Sequence, residues 1–276
     1  MYFPFLWVAL GLYALGIALT VPSVARRRPA IPRTAMGAFG FGVLSNALAL
    51  AVETLELHRL PLIDVRSAMS FFAFLATLAF LFAYWRYRIT ALGLFVQPLA
   101  FVFTLISVVR PERPFTDPAF RGGWLLIHIS SVFLGYTAFL LTFVAALMYL
   151  IQTRELKSKK PRAFYYRLPS LEICDEIYSR SLLIGLPFLT LGIVMGFFAA
   201  SRAWKGPWEF DPKILASMLT WLIYLVLFST RLSGAWRGRR SAYLAVFGFA
   251  VMMVTLFGIS FLSGQHGFKP EFGPLP

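Results

Sequence analysis

At 276 residues, 59% hydrophobic and only 14% charged, with a mean hydropathy of +0.72, the chain is far more apolar than a soluble domain. That leaves no room for a separate soluble domain of ordinary size, and 1–276 reads as a single membrane domain whose first partner is the lipid bilayer. A net charge of +14 would point to nucleic acid in a soluble protein, but here the basic residues sit in short segments between apolar runs, so no nucleic-acid partner is expected. The one cysteine, Cys174, excludes an intramolecular disulfide and a Cys-x-x-Cys redox or metal motif.

Taken in chain order, Met1-Tyr2-Phe3-Pro4-Phe5 lacks a basic leader and a small-residue cleavage site. It therefore reads as the start of a retained span over 4–24 rather than a signal peptide. Further apolar runs at 35–52, 68–85, 90–109, 125–152, 182–201, 214–230 and 242–263 are each of membrane-crossing length, which predicts an all-α bundle of eight transmembrane helices. None of these spans holds Asp, Glu, Lys or Arg, and His128 is the only group inside one that titrates near neutrality. Pro98 and Pro187, inside spans four and six, read as kinks packed against neighbouring helices. Between spans five and six, residues 171–178 carry apolar positions at helical spacing. They form either a helix lying along the membrane surface or an extension of span six.

Charge sets the orientation. The segments 25–34, 86–89, 153–181 and 231–241 hold 17 of the 26 Lys and Arg and a net +13, whereas 53–67, 110–124, 202–213 and the tail from 264 hold nine and a net +1. The first set is expected in the cytoplasm, with both termini outside. That places His58, His128 and His266 all on the outer side of what reads as a bacterial inner (plasma) membrane.

The outer segment from Arg202 to Lys213 packs Trp204, Trp208 and Phe210 among three cations and two acids. Aromatic faces that stack on a flat apolar macrocycle, with Arg202 or Lys213 pairing its carboxylates, suit a heme whose iron takes His128 and His266 as axial ligands. The plainer reading stands beside it. Trp anchors membrane interfaces anyway, and Asp211-Pro212 has the form of a helix N-cap followed by proline at the first helical position. No nucleophile–base pair or metal cluster is visible, so no independent enzyme activity is expected.

The same segment resembles the WWD motif of the heme-handling cytochrome c assembly superfamily (the CcsA, CcmC and HemX relatives), whose pattern runs approximately Trp-Gly-x-x-Trp-x-Trp-Asp-Pro-Lys-Glu. Trp204, Trp208, Asp211, Pro212 and Lys213 match it in spacing. Lys205, Phe210 and Ile214 depart from it, as do Asp64 and Ser67 where Asn and Glu are usual, which brings the resemblance closest to the HemX-like branch. The stretches His58–Asp64 into Ser70, His128–Tyr136 and Trp236–His266 are also similar to that family, so that the resemblance is strongest over 55–268. It implies that His128 and His266 are axial ligands of a heme b. Trp204, Trp208, Phe210, Asp211, Arg202 and Lys213 would present that heme at the outer face for cytochrome c maturation, with a CcsB-like membrane protein and apocytochrome c as partners. A HemX-like regulator or scaffold of heme synthesis is the alternative within the superfamily, and a secondary transporter is the alternative outside it.

The orientation is directly testable. A reporter active only outside the cytoplasm is expected to work when fused after Phe115 or Phe268 and to stay silent at Lys160 or Trp236. The opposite pattern at any two sites overturns the shared outer face of the histidines.

Overall fold

A computed structural model describes residues 2–26, 30–57, 65–109, 123–158, 165–203, 208–234, 236 and 238–258. Within them lie eight helices: α1 Phe3–Arg26, α2 Ala30–Leu57, α3 Val65–Tyr87, α4 Gly93–Val109, α5 Gly123–Lys157, α6 Leu171–Ala203, α7 Pro212–Leu232 and α8 Arg239–Met253. A π turn, Val254–Gly258, continues α8. All eight are long and apolar enough, together with their short flanking turns, to cross a membrane. In hydrocarbon a spanning segment must satisfy its own backbone N–H and C=O groups, and a continuous helix does so within one segment. Each of the eight expected spans therefore emerges as a helix. The segment 171–178 resolves as the first two turns of α6 rather than a surface helix. Ser170 caps it, its Oγ accepting from the Ile173 N–H at 3.3 Å, and Cys174, Ile177 and Tyr178 bury against the core.

Two sub-bundles meet along α5. Helices α1 and α3 pack on α2 and α4, α6 and α8 pack on α5 and α7, and α3 joins the halves against α5. Aromatic rings make the joints. Phe72 of α3 meets Phe103 of α4 edge-on at 4.8 Å and Phe133 of α5 at 5.5 Å. Phe139 of α5 stacks on Tyr224 of α7 at 3.5 Å, and Phe143 on Phe249 of α8 at 4.1 Å. Because lipid is as apolar as leucine, such packing and buried polar contacts, rather than escape from water, hold the helices together. Several neighbouring pairs accordingly share a side-chain hydrogen bond. Asn46 and Ser70 tie α2 to α3, Thr142 and Ser181 tie α5 to α6 at 2.9 Å, Trp221 donates to Thr190 across α6 and α7 at 2.9 Å, and Thr220 meets Thr255 beyond α8 at 3.1 Å.

The helices run past the expected spans, and the added turns of α2 and α3 carry charge. Glu53 and Arg66 form a 2.7 Å ion pair with side chains 4% and 0% exposed. Ser67 donates to the same carboxylate oxygen. The guanidinium lies 4.6 Å from the ring centre of Tyr2 and 5.2 Å from that of Phe3. One buried pair thus gathers the start of α1, the end of α2 and the start of α3. Sequence-based bounds that stop at 52 and resume at 68 leave both partners outside the spans.

Removing one member of a buried pair strands the other, at a cost of about 3–5 kcal/mol, whereas replacing both with apolar groups is often tolerated. Arg66→Leu is therefore expected to lower the unfolding midpoint in detergent sharply, and Glu53→Leu with Arg66→Leu to recover much of it. A double variant no more stable than the single one would remove the ion pair from this role.

Candidate functional site

His128 lies in the second turn of α5, on the face turned to α6. Its Nδ1 is 2.6 Å from the carbonyl oxygen of Gly192. That approach requires a bare helix surface opposite, and α6 supplies one. A Cβ built on Gly196 would stand 2.7 Å from His128 Cε1 and 2.9 Å from Nδ1, and one built on Gly192 would stand 2.6 Å from Val132 Cγ2. The pattern continues along the antiparallel pair, where a Cβ built on Gly135 would stand 3.0–3.3 Å from the backbone of Gly185 and Leu189. His128 as a residue is half-buried.

One turn before His128, on the same side of α5, stands Trp124. The guanidinium of Arg202, in the last turn of α6, sits 5.6 Å from the centre of its indole. A cation held over an indole face gains roughly 0.5–1 kcal/mol at an exposed site. It also stays free to pair with an incoming carboxylate. Arg202 is thereby held over a ring that stands one helical turn from His128.

The connection into α7 completes the site. Trp208–Phe210 forms a single 3-10 turn. Phe210 projects its ring with 74% exposure. Asp211 caps α7, its Oδ1 accepting from the Lys213 backbone N–H at 2.9 Å, with Pro212 at the first helical position. Lys213 stands two residues after the capping carboxylate, so Asp211 and Lys213 set an acid and a cation together at the start of α7. The structure thus places Arg202 over a ring one helical turn from His128, and sets Asp211 and Lys213 together at the start of α7 with Phe210 exposed beside the cap. Trp208 opens the turn, while Trp204, His58 and His266 lie outside the described residues.

Sequence reasoning passed over Trp124, Gly192 and Gly196. The signals are faint but readable: Trp124 precedes His128 by one helical turn, and Gly192-x-x-x-Gly196 is the spacing at which small residues let membrane helices approach closely. Chemically, the site offers one anchored imidazole, two cations and an exposed aromatic face. That set matches a flat, carboxylate-bearing ring. Among the described residues no cluster of three or more His, Cys, Asp or Glu stands ready for a bare metal ion.

Comparison with known proteins bears on the family of the chain. The family profile described as "Cytochrome C assembly protein" matches residues 35–266. The chain is similar to the cytochrome c biogenesis protein CcsA of Guillardia theta, with 26% identity over 247 residues covering 82% of each chain. It resembles CcsA of Microcystis aeruginosa at 27% identity, over 87% of this chain and 89% of the relative. CcsA of a Synechococcus strain is 32% identical over 60% of this chain and 62% of its own.

The cap makes its own prediction. Losing a capping carboxylate costs typically about 1 kcal/mol, and asparagine caps as well as aspartate. Asp211→Ala is expected to lower the thermal midpoint of the purified protein and Asp211→Asn to leave it unchanged. Equal stability of all three would mean that the cap does not hold α7.

Proposed function

This chain belongs to the cytochrome c assembly protein family, and on that premise we propose that it holds heme b at the outer face of the membrane during cytochrome c maturation. The observation that carries this reading is a backbone-anchored imidazole one helical turn from an indole that holds a guanidinium, with an exposed phenyl ring in the turn before α7. Heme is the cargo: its iron takes axial imidazoles and its two propionates carry negative charge.

Each residue has a definite part in that reading. His128 offers the nitrogen that its backbone contact leaves free, and His266 supplies the second axial imidazole. Arg202 and Lys213 pair with the propionates. Trp204, Trp208 and Phe210 cover the ring face, and Asp211 keeps the start of α7, with Lys213 on it, in place. Apocytochrome c and a CcsB-like membrane protein are the partners, met on the outer side where the charge distribution puts these residues. The relatives named above are CcsA proteins, and no observation singles out the HemX-like regulatory reading.

Reduced purified protein is expected to show the sharp visible bands of a low-spin, two-histidine heme. His128→Ala or His266→Ala alone should leave a weaker five-coordinate site that added imidazole partly restores, and the double variant should be colourless. Trp204→Ala with Trp208→Ala should retain less heme while still inserting, each ring face contributing roughly 0.5–1.5 kcal/mol beyond its area. An unchanged spectrum in the double histidine variant would sink the ligand assignment.

A further inference from the structure

We infer that the glycine face of α6 is the positioning element for His128, with the Gly192 carbonyl setting its tautomer and Gly196 setting its ring position. The inference rests on the heme reading for its purpose, but its physical content concerns this chain alone.

A carbonyl oxygen carries no proton, so the 2.6 Å contact between His128 Nδ1 and Gly192 O requires that Nδ1 be the donor. In a neutral ring the lone pair then resides on Nε2. A free neutral histidine favours the opposite arrangement, with its proton on Nε2. The protein therefore inverts the ordinary preference and leaves Nε2 as the ligating nitrogen. In α6 the Gly192 carbonyl already accepts the helical bond from the N–H of Gly196. Its second lone pair takes the imidazole. One turn of one helix thus supplies both the acceptor and the space.

Gly196 supplies the space. Its added Cβ would press on Cε1 at 2.7 Å and on Nδ1 at 2.9 Å, yet would stand 3.7 Å from Nε2, an ordinary contact. A methyl group there displaces the anchored edge of the ring without covering the ligating nitrogen. Gly196 and Gly192 are positioning residues: they touch the ligand's side chain, never the iron. A hydrogen bond from the far nitrogen of a ligating imidazole fixes its orientation and raises its basicity. A more basic ligand favours ferric iron, so the anchored His128 gives a lower reduction potential than an unanchored one.

The test begins on heme-free protein carrying nitrogen-labelled histidine, at about pH 8 where an ordinary imidazole is neutral. The signal that disappears in His128→Gln identifies His128. It is expected to report a proton on Nδ1, and a proton on Nε2 or the averaged pattern of a free peptide overturns the proposal. Gly196→Ala should return that signal toward the peptide pattern, weaken titrated heme on the order of 10- to 100-fold, and raise the reduction potential of the heme that still binds. An unaltered tautomer or potential in Gly196→Ala overturns it as well. Gly185→Ala is the packing control. Its Cβ would meet Phe139 at 2.5 Å, well away from the imidazole. It should cost stability and leave the His128 signal alone, and a tautomer lost equally in both variants would replace positioning with general packing. If Gly196→Ala does not accumulate, the wild-type tautomer decides. A correct tautomer in a protein that binds no added heme would fell the heme reading and leave the positioning of His128 standing.

Discussion

The approach of α5 to α6 governs nearly everything else in this molecule. Helices in lipid gain little by hiding apolar surface from one another, so they associate only where shapes let backbones come close or polar groups meet. Gly135 on one helix and Gly185, Gly192 and Gly196 on the other permit that closeness, and Thr142 with Ser181 adds a hydrogen bond within it. The same closeness puts a helix carbonyl within reach of an imidazole. Packing and site share one arrangement here, since two of the glycines that join the helices, Gly192 and Gly196, are also the ones that meet His128.

The N-terminal half is held differently. There Glu53, Arg66, Ser67 and the rings of Tyr2 and Phe3 form a compact polar knot at the junction of three helices. Charges so thoroughly buried are expensive unless paired, and a pair of this kind favours one register of α2 against α3 over any slipped alternative. Asn46 and Ser70 repeat the logic deeper in the α2–α3 pair, two turns back along α2 and one turn on along α3. The aromatic joint of Phe72, Phe103 and Phe133 then couples this half to α5.

The segment before α7 shows how two readings of one motif are both true. Asp211 and Pro212 start a helix as any cap and first-position proline would. That helix start also fixes where Lys213 stands and leaves Phe210 standing out from the surface. A residue that appears only to begin a helix decides where a cation and an aromatic face are presented. The departure from a tryptophan at position 210 keeps the flat exposed ring and gives up the indole N–H.

Much of the architecture was legible in the sequence because its determinants are one-dimensional. Apolar runs of membrane length need only be counted, the helix is the only open-ended answer for a single span in lipid, and the uneven distribution of Lys and Arg between alternate segments is a property of order along the chain. His128 was legible as the one imidazole at membrane depth, and 202–213 as a concentration of aromatics and cations among matching motif positions. The pairing of Glu53 with Arg66 was not, because both sit past the apolar runs, where a charge ordinarily signals the end of a span. Nor were Trp124 beneath Arg202 and the glycines beneath His128, since each is meaningful only through a partner 64 to 78 residues away. Composition and periodicity decide which segments enter the membrane because each segment meets the bilayer by itself. Which nitrogen His128 presents was left to tertiary structure, because a tautomer is set by one acceptor on another helix, at a distance that only the packing of the two backbones can produce.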